Sequence, residues 1–167
     1  MAAGTALRIG MVVYGDISHD SRVQREARSL AEAGHAVTIY ALAGSRDGMA
    51  SLDPRIDVVL RAPPVGTIVP GSPSPFRQVR RRGRWNGLLD RVRWLSGYTR
   101  SLRAWGRAVT AGAQVDVWHA HDFAGLVAVG GSVTPGQALV YDVHDVFVET
   151  GTAARLPRPV RWAIRAY

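Results

Sequence analysis

Two short apolar runs in the C-terminal half of the chain end on histidines paired with acids. Val115-Asp116-Val117-Trp118 leads into His119-Ala120-His121-Asp122, and Leu139-Val140-Tyr141 leads into Asp142-Val143-His144-Asp145. Imidazoles and carboxylates so grouped can contact a bound ligand or coordinate a metal. In a parallel α/β sheet the groups that meet a ligand sit at the carboxyl ends of strands. Two polar clusters at that same relative position, 23 residues apart from His121 to His144, fit neighbouring strand–helix units opening onto one cleft. His119 and His121 alternate along a strand and so face one side, with Asp122 following. His121, at the strand terminus, reads as the ligand contact, and His119 as a core or supporting histidine. Asp122 follows His121 directly and no histidine comes after it, so the spacing departs from the His-x-His-x-Asp-His pattern of metal hydrolases. No metal site is expected.

The elements that would position these groups follow from hydrophobic periodicity. Leu7 to Tyr14 is a near-continuous apolar run, as a strand covered on both faces requires. A polar loop, Gly15 to Asp20, precedes a helix in which Ser21 and Gln24 form a capping box, Asp20 adds negative charge, and Val23, Ala27, Leu30 and Ala31 recur at helical spacing. Gly34 stops that helix, and Ala36 to Leu42 is a second strand. Ile56 to Leu60 reads as a third. Leu88, Val92, Leu95, Leu102, Trp105 and Val109 mark one amphipathic helix, or two broken near Gly97. A helix from about Ala124 to Val133 separates the two histidine-ended strands. Arg158 to Tyr167 begins as a helix with Pro159 in its first turn and ends without a cap, as a cut chain would. This alternation predicts an α/β fold with a doubly wound parallel sheet.

Composition narrows the function classes. A chain of 167 residues with 47% hydrophobic and 20% charged residues is sized for one globular domain and too short for two of Rossmann type. No apolar stretch reaches the length of a membrane span. Met1 to Leu7 carries no basic leader region, which suggests a cytoplasmic protein. With no cysteine, disulfides and thiolate chemistry are excluded. The net charge of +8 is concentrated: Arg77 to Arg107 holds ten arginines and one acid, Asp90, and the remainder is nearly neutral. Five of the nine prolines lie just before it, between Ala62 and Pro75, so residues 62–107 read as a proline-rich and basic insertion. Its tryptophans at helical spacing suit a core stripe, while its arginines suit a solvated face or an anionic membrane surface at the inner face of the membrane. No nucleic-acid reader motif is present. The first strand–helix junction has neither the dinucleotide glycines nor a P-loop, though free amides near Ser21, helped by Arg22 and Arg25, could receive an anion.

Four stretches taken in order resemble the N-terminal domain of a GT-B glycosyltransferase of the family 4 type. They are Asp20-Ser21-Arg22-Val23-Gln24-Arg25-Glu26-Ala27, Leu30 to Thr38, Asp116 to Asp122, and Tyr141 to Asp145 with Glu149 beyond. The resemblance implies a Rossmann-like half of a two-domain enzyme whose other, donor-holding domain is absent from these residues. It implies metal-independent, retaining transfer of a hexosyl group from a nucleotide-sugar to an acceptor hydroxyl, the acceptor being free or lipid-linked, with no cofactor. His121 would contact the transferred sugar. Gly15, Asp16, Asp20 and Arg22 would lie toward the donor diphosphate, and His119, Asp122, His144, Asp145 and Glu149 would line the rest of the site. The fragment alone is expected to be inactive. A non-catalytic stand-alone binding module or truncated gene product, and another GT-B enzyme such as a nucleotide-sugar epimerase, are the alternatives.

Overall fold

The computed structural model describes residues 5–18, 20–43, 52–63, 84–143 and 158–165; side chains of 84–91 and 163–165 are not described. The apolar runs form one parallel sheet of β1 (Arg8–Val13), β2 (Ala36–Leu42), β3 (Ile56–Arg61), β4 (Val117–His121) and β5 (Ala138–Asp142). The helices are α1 (Ser21–Glu32), α2 (Arg84–Thr110), α3 (Asp122–Val129) and α4 (Arg158–Arg165). The strand order is β3-β2-β1-β4-β5, and every neighbouring pair is parallel. This is the α/β, Rossmann-like arrangement that the alternation of elements predicts. Chain order reverses direction between β1 and β4, which creates a crevice at their carboxyl ends.

Because successive side chains on a strand point to opposite faces, the sheet builds two cores. Val12, Trp118 and Ala120 pack on one side with Leu102 and Trp105 of α2 and Phe123 of α3. Met11, Val13 and Ile39 pack on the other side with Val23, Ala27 and Ala31 of α1. His119, in phase with Val117 and out of phase with Trp118, therefore faces α1. β5 is an edge strand, and its Leu139, Val140 and Tyr141 are exposed.

Local details differ from expectation. The α1 cap is Asp20, not Ser21: the Asp20 carboxylate accepts from the Arg22 and Val23 amides. The Gln24 side chain instead donates to the carbonyls of Ile17 and Ser18. A carboxylate one residue earlier reaches the same free amides and brings the charge that the helix dipole favours. α2 is unbroken at Gly97, since one glycine costs a helix only about 1 kcal/mol and the buried stripe holds it. The second half of α2 belongs to the core: Leu102 and Trp105 are completely buried, and the Trp105 indole donates to the Arg61 carbonyl at 3.2 Å. α3 starts at Asp122, directly on β4, rather than near Ala124.

At the amino edge of the sheet Arg8 donates to both oxygens of Asp116, at 2.7 and 3.2 Å, and its amide donates to the same carboxylate at 2.8 Å. This arrangement ties the start of β1 to the turn entering β4. No helix among the described residues is long and apolar enough to cross a membrane.

Candidate functional site

The carboxyl edge of the sheet gathers four side chains from three elements. His119 and His121 come from β4, two residues apart on one face. Glu26 comes from the second turn of α1, the helix packed on that face. Asp142 comes from the end of β5, where register pairs it with His121. The imidazole rings of His119 and His121 stack with centroids 4.5 Å apart. Glu26 addresses both: Oε1 lies 3.6 Å from His119 Nε2 and Oε2 lies 3.9 Å from His121 Nδ1. Asp142 Oδ2 lies 3.4 Å from the same Nδ1. The histidines are buried, while Glu26 and Asp142 are about one-third and one-quarter exposed. Imidazole thus forms the floor of the cluster and carboxylate its rim.

His121 ends the strand, and Asp122 turns the chain at once into α3. Asp122 has φ +57°, the single non-glycine residue with positive φ among those described. Asp tolerates this left-handed conformation better than most residues. Such local strain is often found where a site needs its geometry fixed. Gly125, one turn on, has its Cα so close to β1 that a Cβ would sit 2.6 Å from the Val12 carbonyl oxygen. Without a side chain there, α3 seats directly on the β1–β4 crevice.

Asp122 does not join the histidine cluster. Its charge acts instead on Tyr98, which burial first, then Tyr14 and Asp122, push up to about 12. Burial and the same carboxylate raise Tyr141. Tyr141 pairs with Ala120 and so lies on the α2/α3 side of the sheet, away from Asp142.

The loop after β1 contributes less charge to the crevice than the sequence suggests. The Asp16 carboxylate accepts from the Ser18 amide at 2.9 Å, and Asp20 caps α1. Two of the amides expected to receive an anion are therefore already held by Asp20. Arg22 is exposed, and among the described residues a Cβ on Gly15 would meet only the Val13 side chain, at 3.9 Å. The Ser18 hydroxyl is buried and has no hydrogen-bond partner among the described residues.

Of the residues singled out from sequence, His119 and His121 are brought together. Gly15, Asp16, Asp20 and Arg22 lie on the adjoining loop and helix start. Asp122 faces elsewhere, and His144, Asp145 and Glu149 lie outside the described residues. Glu26 and Asp142 belong to two of the four sequence stretches, but the sequence alone does not mark them as site residues. In sequence Glu26 is one charged position on an amphipathic helix and reads as solvated. Only the packing of α1 over β4 aims it at the histidines. No protein-family model matches the chain, and a search of curated proteins finds no match.

Proposed function

We propose that this domain is the acceptor-side half of a retaining glycosyltransferase. The reaction would move a hexosyl group from a nucleotide-sugar to an acceptor hydroxyl, with no metal in the transfer step. The observation that carries the reading is the convergence of His119, His121 and the Gly15–Asp20 loop on the β1/β4 crevice, where strand order reverses. A ligand bound there is bordered by imidazole from β4 and by the β1–α1 loop. Hydroxyl-rich ligands suit such a site, since imidazole nitrogens can both donate and accept. The resemblance of the four sequence stretches supplies the reaction class. In this reading a second domain, from the same polypeptide or another, holds the nucleotide-sugar.

The test is hexosyl transfer by the natural protein that contains these residues. UDP-, GDP- and ADP-hexoses are offered as donors, with soluble and lipid-linked acceptors. Transfer with retained anomeric configuration is expected from at least one donor. Failure of every donor, in protein that is folded and saturated with each, would leave a non-catalytic binding module as the surviving reading.

A further inference from the structure

We infer that Glu26, His119, His121 and Asp142 form a binding site for one divalent transition-metal ion, with Zn²⁺ the best match. One atom from each of the four side chains can be chosen so that all lie within 4.8 Å of one another. Around a tetrahedral zinc with bonds of about 2.0–2.2 Å, ligand atoms stand roughly 3.4 Å apart. The imidazole–carboxylate separations of 3.4, 3.6 and 3.9 Å begin at that spacing and exceed it by at most about half an ångström. The two Glu26 separations are longer than an N–H···O hydrogen bond of about 2.7–3.2 Å, as expected of groups arranged around a shared central atom. Two carboxylates balance a divalent charge, and two imidazoles supply the nitrogen that favours zinc over magnesium or calcium.

The burial pattern suits a metal as well. The histidines are fixed in the floor by the sheet, and the partly exposed Glu26 and Asp142 form a mouth through which an ion can enter. The full set is scattered along the chain, 93 residues from Glu26 to His119 and 21 from His121 to Asp142, and only the fold assembles it. A bound ion would clamp α1, β4 and β5 together and hold the His121 ring from its Nδ1 side. The inference does not rest on the transferase reading, since metal binding is measured without any donor or acceptor.

The experiment uses the untagged chain, stripped with chelator and titrated with Zn²⁺ by calorimetry and with Co²⁺ by visible absorption. One ion per chain is expected, together with the intense bands of four-coordinate Co²⁺ and a rise in melting temperature. Glu26→Gln, Asp142→Asn and His119→Ala should each weaken Zn²⁺ binding at least about tenfold, and His35→Ala, at the opposite edge of the sheet, should not. Absence of the Co²⁺ bands in the wild-type chain would overturn the inference even if a variant fails to fold. Equal Zn²⁺ affinity in the wild type and the folded Glu26→Gln protein would overturn it too. Chelation that removes the ion but spares hexosyl transfer leaves both readings standing. Loss of one property without the other separates them.

Discussion

Gly106 in α2 meets the carbonyl of Ala128 in α3 backbone to backbone, so closely that a Cβ on Gly106 would overlap the carbonyl oxygen. Gly97, nine residues earlier on the same helix, has nothing among the described residues within 4 Å of where its Cβ would stand. The pair predicts opposite signs for one substitution. Gly97→Ala should stabilise by about 0.5–1 kcal/mol through helix propensity. At Gly106 the same gain is outweighed, because the obstacle is backbone that cannot rotate away, and overpacking costs typically about 1–3 kcal/mol. Urea denaturation of the two variants beside the wild type checks this; stabilisation at both positions would contradict the close helix contact.

Stability should fall with acid through the Arg8–Asp116 tie. Hydrogen bonds from the Arg8 side chain, then its amide, hold the Asp116 carboxyl at about 2 against an ordinary 3.8. The folded-state value is depressed, so the contribution is complete above about pH 4 and is lost as pH falls toward 2. Asp53, lowered to about 2 chiefly by Arg55, acts in the same window. Both pairs are at the surface, where such ties are weak, so Arg8→Ala should flatten the decline only modestly. Thermal melts at about pH 4.5 and 2.5 measure it, and an unchanged slope would mean that the tie does not form in solution.

In the proposed transferase, His121→Ala should lower turnover at least about tenfold, equivalent to about 1.4 kcal/mol of barrier, whereas His35→Ala should not. His121 ends β4 beside the β1/β4 crevice, in the buried floor of the histidine cluster. His35 accepts a hydrogen bond from the Leu7 amide through Nδ1 at 3.3 Å, at the far edge of the sheet. Steady-state kinetics of both folded variants decide it, and equal values would discard the assignment of His121.

The 167-residue chain by itself should bind nucleotide-sugars more weakly than about 1 µM. One wall of a cleft leaves most of a small ligand's surface in water, and enclosure is what such sites depend on. Calorimetry with UDP-, GDP- and ADP-hexoses tests this; tighter binding of any of them would refute the half-site reading.

For the basic segment we propose reversible attachment to anionic lipid without insertion. Trp105 is completely buried and Trp94 packs against the same core, so neither can seat among headgroups. Arg93, Arg100, Arg103 and Arg107 are exposed on α2, each worth about 1 kcal/mol near an anionic surface. Co-sedimentation with phosphatidylglycerol vesicles should be clear at low salt and lost at high salt. Arg100, Arg103 and Arg107 changed together to glutamine should weaken it. No preference over neutral vesicles would make these arginines a solvated face and nothing more.

Much of the fold was legible because its strands are apolar runs that no helix periodicity fits, and alternation leaves few other architectures. The His119–His121 pair was legible for the same reason: period-2 spacing fixes which face they share. What could not be read was set by contacts distant in sequence. Glu26 gains its role from how α1 lies over β4. Asp142 gains its role from the register that seats it beside His121, and a comparison of the two strand ends could have suggested it. Asp122 was misleading for a local reason, since a left-handed turn immediately after His121 sends its charge toward Tyr98 and Tyr141.

The direct passage from β4 into α3 leaves no slack between the strand that carries both imidazoles and the helix wedged on Val12 and Gly106. A helix advances about 100° per residue. One residue inserted between His121 and Asp122 would therefore swing Gly125 off the Val12 carbonyl and drive a side chain into the sheet. The spacing from His121 to Gly125 is a fixed length, and variants of this domain that keep the crevice must vary elsewhere along the chain.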